Sequence, residues 1–376
     1  MNAAAAAEAE GRDIIHMEVG QPATPAPRAA REAAKLAIDK QSLGYTVALG
    51  LPALRHRIAR HYQDWYGVKI SSERVVVTSG SSAAFVLAFL AAFDQGDVVA
   101  VPAPGYPCYR HILSALGQQQ AIIPTGPDQR WMPTQEQINN LIDTEDMGGL
   151  NNGNLAGLLI ASPANPTGTM MEEKRLSAIC DLAAQNDMWL ISDEIYHGLA
   201  YERPAKTALE FSDDAIVINS FSKYFSMTGW RVGWMVLPEA LVPAVERLAQ
   251  NLYICPSAVA QAAALGAFDG FDELERNRAQ YSENRKLIIS ALPTLGIRNF
   301  APADGAFYIY ADVSQFTQNS LAFARAILEH TNVSVTSGLD FDENLGHRYL
   351  RLSYAGATDK LDEAIGRLDA SRLFRP

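Results

Sequence analysis

The sequence predicts an α/β fold: a mostly parallel seven-stranded sheet with helices on both faces, joined to a smaller α+β unit. Three observations carry this. Seven short apolar, β-branched runs recur through the middle of the chain, helically spaced patterns lie between them, and the character changes after Pro293. Nearly continuous apolar strands that alternate with helices belong to parallel sheets covered on both faces.

The strand candidates, in order, are Arg74–Thr78, Val98–Pro102, Gln120–Pro124, Ala156–Ala161, Met188–Ser192, Ala215–Asn219 and Val232–Leu237. Helical spacing appears between them, in Ser81–Phe93 and Glu172–Asn186. Phe271–Pro293 then forms one long polar-faced helix. Short strands around Ala306–Tyr310 and Tyr349–Ser353 flank a helix over Ser320–Glu329 and define the smaller unit. The expected division is 1–42 as an N-terminal arm and part of the small domain, 43–291 as the large domain, and 292–376 as the small C-terminal domain. No internal repeat is present.

A chain of 376 residues exceeds one average domain, and 48% hydrophobic with 19% charged residues is ordinary for a compact soluble protein. The formal charge of -11 argues against nucleic acid and anionic membrane, which reward clustered Lys and Arg. Cys108, Cys180 and Cys255 are far apart, as in a cytoplasmic protein with reduced thiols; neither a disulfide framework nor a metal site is expected. The alanine-rich start carries Glu8 and Glu10 with no basic residue before them, unlike a secretory leader. The longest apolar run, Ala83–Phe93, is too short to cross a bilayer.

Four clusters carry chemistry. Ser220-Phe221-Ser222-Lys223 follows a buried strand and precedes Gly229-Trp230-Arg231. Serine hydroxyls with a guanidinium make a phosphate clamp, and Lys223 supplies an amine for an imine. The plain alternative is a surface lysine on a loop. Asp193, in Ser192-Asp193-Glu194-Ile195-Tyr196, lies at the carboxyl end of a strand, where open α/β sheets bind ligands. It suits a carboxylate facing a pyridine nitrogen, or else a helix cap. In Ser162-Pro163-Ala164-Asn165-Pro166-Thr167-Gly168, Asn165 offers two donors within a turn and pairs with Tyr196 as a holder of a phenolate oxygen. Finally, Ser79-Gly80-Ser81-Ser82 joins a strand to an apolar helix, an anion site or simply a run of N-caps.

In this order, the clusters resemble the fold-type I pyridoxal-phosphate enzymes of the aminotransferase class I/II family, from about Glu18 to Ala355. The resemblance implies pyridoxal 5'-phosphate bound as an imine to Lys223, with Asp193 at the ring nitrogen and Asn165 and Tyr196 at the ring oxygen. It further implies phosphate contacts from Gly80, Ser81, Ser82, Ser220, Ser222 and Arg231, and stacking by Tyr106. Arg351 matches the arginine for the substrate α-carboxylate, with Gly20 nearby, and a bidentate fork suits that task. Tyr45 matches a tyrosine that reaches the phosphate of a neighbouring subunit, which implies a homodimer. The large domain would then be the cofactor-binding one.

The activity implied is transfer of an amino group between an amino acid and a 2-oxo acid. The alternative on the same residues is a C–S β-lyase or a related β/γ-elimination enzyme. A regulatory domain that senses amines is disfavoured by the acidic charge. In the aspartate-using branch of the family, a lysine commonly follows the glycine turn, about where Ser82 stands. No Lys or Arg occurs from Val75 to Tyr109, so a neutral donor, alanine-like or aromatic, is expected.

Overall fold

The computed structural model describes residues 1–143 and 155–374. Its main sheet has seven strands: β1 (Val75–Thr78), β2 (Val98–Ala103), β3 (Gln119–Pro124), β4 (Leu155–Ala161), β5 (Trp189–Asp193), β6 (Ile216–Ser220) and β7 (Gly233–Val236). They lie in the order β1-β7-β6-β5-β4-β2-β3. Only β7 runs antiparallel to its neighbours. All seven expected strands are present, with no end shifted by more than one residue.

The strands are apolar throughout because both faces are covered. Along β1, Val75 and Val77 enter one core cluster while Val76 enters the other, and along β6 Val217 parts from Ile216 and Ile218 in the same way. Successive side chains of a strand point to opposite faces, so a strand buried on both sides carries no polar alternation.

A three-stranded antiparallel sheet holds Tyr349–Ser353 between Thr336–Ser337 and Tyr308–Asp312. The strand expected at Ala306–Tyr310 begins two residues later, since Ala306 has φ 57°, a left-handed conformation that interrupts extended backbone. The long helix spans Phe271–Ala291 and stops before Pro293, which has no N–H to continue it. The strand Ile15–His16 pairs in parallel with Val333–Ser334. The alanine-rich start is a helix, Asn2–Ala9, whose Ala4 and Ala7 pack with Ile14 and Leu328. Among the described residues no helix is long and apolar enough to cross a membrane.

Candidate active site

The segments that follow β1, β2, β4, β5 and β6 open at one edge of the sheet, the carboxyl ends of its parallel strands, where such sheets bind ligands. A cavity of about 330 Å³ lies there. Gly20, Ser81, Ser82, Tyr106, Asn165 and Asp193 line it, together with Tyr196, Ser222, Lys223, Arg231 and Arg351. Gly80 and Ser220 are not on the wall, although Ser220 Oγ sits 2.8 Å from Ser222 Oγ. Tyr45 is elsewhere, 85% exposed.

Lys223 follows β6 by three residues, and its Nζ donates to the Gly20 carbonyl at 2.7 Å. Burial, and after it the charges of Arg351 and Arg231, push its pKa down to about 8 against the opposing pull of Asp193. An ammonium that gives up its proton so readily is suited to attack a carbonyl or act as a base.

Asp193 closes β5 and is buried. One carboxylate oxygen accepts from the Ile195 N–H at 3.0 Å, and the other accepts from the Tyr109 hydroxyl. The turn-capping role and the cavity-facing role are therefore held by a single side chain. Burial pushes its pKa up to about 6, and the two donors and Lys223 pull the other way.

Three features meet at the anion-binding end. The helix Ser81–Ala92 starts at Gly80 without a side-chain cap, so its first N–H groups are free for a ligand. Gly80 has φ 80°, and a Cβ there would stand 2.4 Å from Arg231 Nη2, so only glycine lets the guanidinium lie against the turn. Arg231 Nη1 donates to the Thr228 carbonyl at 3.1 Å.

At the other end Arg351, from the middle of its strand, donates through Nη1 to Asn165 Oδ1 at 2.8 Å and through Nη2 to the Glu18 carbonyl at 2.5 Å. Among the described residues its buried Nε has no partner. The guanidinium carbon lies 4.4 Å from the Tyr308 ring centre and 4.7 Å from that of Phe341. The Tyr196 hydroxyl is 2.7 Å from that of Tyr308. Tyr106 meets Tyr109 edge-on, with ring centres 5.5 Å apart.

Among the residues at this site that the sequence does not mark are Tyr109 and Tyr308 on the cavity wall and Phe341 against Arg351. Tyr109 stands three residues after Tyr106 at the start of the helix Pro107–Ala115, a spacing that puts both on one helix face and was available as a signal. Tyr308 lies inside an expected strand, and Phe341 in a turn, where no local pattern separates them from packing residues.

An amine, a carboxylate, an uncapped helix start and two arginines in one cavity define a site for a phosphorylated carbonyl cofactor and a carboxylate-bearing substrate. Residues 12–368 match the model of the family described as aminotransferase class I and II. The chain is 46% identical over 360 residues to valine–pyruvate aminotransferase of Mycobacterium tuberculosis, covering 95% of this chain and 90% of that one. It is 30% identical to an aspartate aminotransferase of Sulfurisphaera tokodaii, covering 96% and 90%. A crystal structure of an aminotransferase from Mycobacterium tuberculosis superposes with TM-score 0.93 at 45% identity, covering 98% and 94%.

The chain belongs to the class I and II aminotransferases. It is a pyridoxal-phosphate-dependent enzyme that moves an amino group between an amino acid and a 2-oxo acid. The residues present fit that cofactor: the glycine-shaped cradle at Arg231 matches a phosphate, and the lowered Lys223 amine matches an aldehyde.

Proposed function

We propose that this aminotransferase takes its amino group from a neutral amino acid, alanine-like or aromatic, with Lys223 as the residue that holds the cofactor and moves the proton. The observation that carries the neutral side chain is the charge of the cavity wall. Among the described residues its only lysine and arginines are Lys223, Arg231 and Arg351, and each has a task other than a second carboxylate. A buried carboxylate left without a partner costs about 3–5 kcal/mol, which at 1.4 kcal/mol per tenfold removes a dicarboxylic donor from contention. The relative at 46% identity is named for valine and pyruvate, which agrees with this reading.

Each residue has a physical role. Arg351 receives the substrate α-carboxylate, which supplies the partner that its Nε lacks. Pyridoxal phosphate, when bound, supplies an electron sink for the bond broken at the α-carbon. Lys223 Nζ takes the α-proton, a step for which a placed base contributes roughly 10²–10⁴-fold. Asp193 would hold the ring nitrogen protonated, Asn165 and Tyr196 would donate to the ring oxygen, and Tyr106 would stack on the ring. Ser81, Ser82, Ser222 and Arg231 on the cavity wall, with Gly80 and Ser220 adjoining them in the chain, would hold the phosphate, and Gly20 would lie beside the carboxylate.

The active unit is a homodimer in which Tyr45 reaches the partner's phosphate. Exposed Tyr45, Val47, Leu252 and Ile254 supply apolar surface for such a contact. The free thiols of Cys108, Cys180 and Cys255 suit a reducing cytoplasm. The division at 1–42, 43–291 and 292–376 is supported by the sheets, since the seven-stranded one falls within 43–291 and the three-stranded one within 292–376.

The test is kcat/KM for alanine, phenylalanine and aspartate against one common 2-oxo acid. Preference for a neutral donor by tenfold or more is expected. Aspartate turning over tenfold faster than both others would overturn the reading.

A further inference from the structure

The cavity-facing hydroxyl of Tyr196 is met by a second phenol. Tyr308 opens the strand Tyr308–Asp312, held in register opposite Ser353, and its hydroxyl lies 2.7 Å from that of Tyr196 with both residues buried. The chain leaves room for this hydroxyl at Gly20, where a Cβ would stand 1.7 Å from it. We propose that Tyr308 is a positioning residue for Tyr196: it donates its hydroxyl proton to the Tyr196 oxygen, so that Tyr196 presents its own O–H to the ring oxygen of the cofactor. The inference rests on the reading of Tyr196 as a donor to that oxygen.

A phenol has one hydrogen to donate, and a contact of 2.7 Å takes one of the two available here. Neither hydroxyl has another hydrogen-bond partner among the described residues. If Tyr196 donated to Tyr308, its only hydrogen would be spent and the ring oxygen would face a lone pair. In the opposite direction the chain runs from Tyr308 through Tyr196 to the ring oxygen, and each bond polarises the next. Arg351 favours this direction, since it lies nearer the Tyr308 ring than Lys223 Nζ does to the Tyr196 ring, 5.8 Å from its centre. Its guanidinium carbon is 4.4 Å from the Tyr308 ring centre, and a cation on a phenol face draws density from the oxygen, making the hydroxyl a better donor and a poorer acceptor.

The readout is the pH midpoint at which the absorbance of the bound cofactor changes, taken on holoenzyme without substrate. A donor at the ring oxygen favours its anionic form, so losing one raises the midpoint. Tyr196→Phe should raise it by roughly 0.4–1 pH unit, the effect of one net hydrogen bond. Tyr308→Phe should raise it in the same direction by a smaller step, because it removes only the polarisation of the Tyr196 hydroxyl. Because the ring stays against Arg351, the KM for the amino acid should change less than twofold. If Tyr196→Phe shifts the midpoint and Tyr308→Phe leaves it unchanged or lowers it, the inference fails while the role of Tyr196 stands. If Tyr196→Phe moves nothing, the role of Tyr196 fails and takes the inference with it. Should Tyr308→Phe not fold, 3-fluorotyrosine at position 308 keeps the shape and strengthens the donor. The midpoint should then fall below that of the natural enzyme, and an unchanged value would overturn the proposal.

Discussion

Arg351 Nη1 donates to Asn165 Oδ1 across 2.8 Å, tying the three-stranded sheet to the turn that follows β4. The contact orients the amide, because an oxygen committed to the guanidinium leaves both Nδ2 hydrogens for the cavity. In the proposed site, Asn165 would serve the carboxylate fork and the ring oxygen together. Asn165→Ala is expected to lower kcat/KM about 10- to 100-fold, the effect of removing a hydrogen bond to a charged group. Steady-state kinetics with both substrates should show a raised KM for amino acid and 2-oxo acid alike. A loss confined to kcat would mean that the amide does not hold Arg351 in place.

Lys223 gives a second prediction through its lowered pKa. Burial foremost, then Arg351 and Arg231, bring its amine to about 8, and only the unprotonated amine attacks an aldehyde. When apoenzyme is mixed with pyridoxal phosphate, the rate of attachment should rise with pH and reach half its maximum near 8. An ordinary lysine would still be gaining rate above about pH 10. Borohydride reduction and peptide mapping should place the pyridoxyl group on Lys223, and Lys223→Ala should carry none and turn over no substrate. Recovery of the label on another lysine would sink the assignment.

A third prediction concerns acid stability. His61, on the helix Pro52–Tyr66, is buried with Nδ1 unpartnered among the described residues, and burial foremost, then Arg57 and His197, push its pKa down to about 3. The unfolded chain binds a proton at this histidine near pH 6.5, which the folded chain refuses until about pH 3. The contribution of His61 is therefore complete above pH 6.5 and is lost as pH falls, by about 2 kcal/mol at pH 5. His61→Phe keeps a ring between Trp65 and Phe268, whose centres lie 4.2 and 5.4 Å away, and removes the titration. In urea unfolding, the loss of stability between pH 7 and pH 5 should shrink by about 2 kcal/mol in the variant. An equal loss in both proteins would place the acid sensitivity in another group.

The sheet was legible because its strands are buried on both faces. Runs such as Val75–Val77 are apolar at every position, since Val76 and its two neighbours enter different cores. Lys223, Asp193 and Asn165 were legible because each ends such a strand or lies within four residues past it, where polar residues have no packing task. Tyr109 and Tyr308 were not. Their partners, Asp193 and Tyr196, are 84 and 112 residues distant in the chain, and each tyrosine satisfies its own helix or strand pattern. Such roles arise from packing between elements, which periodicity within one element does not encode. The shift of the strand expected at Ala306 has a similar origin, since no local feature marks an alanine for left-handed backbone.

The last prediction concerns the shared site. Tyr45 is 85% exposed and does not line the cavity of its own chain, so the proposed role at the phosphate calls for a partner subunit. In a two-fold dimer each Tyr45 would then serve the site whose Lys223 belongs to the other chain. Tyr45→Ala should weaken phosphate binding and activity, and Lys223→Ala should abolish turnover. Mixing the two variants and allowing exchange yields heterodimers in which one site carries both defects and the other carries neither. With random exchange half of the dimers are mixed and half of their sites are intact, so activity should rise to about a quarter of the natural level. Subunit exchange is followed independently with a mass tag on one parent. Confirmed exchange without a rise above the two parents would show that Tyr45 serves its own chain, or neither, and that the site is not shared through this residue.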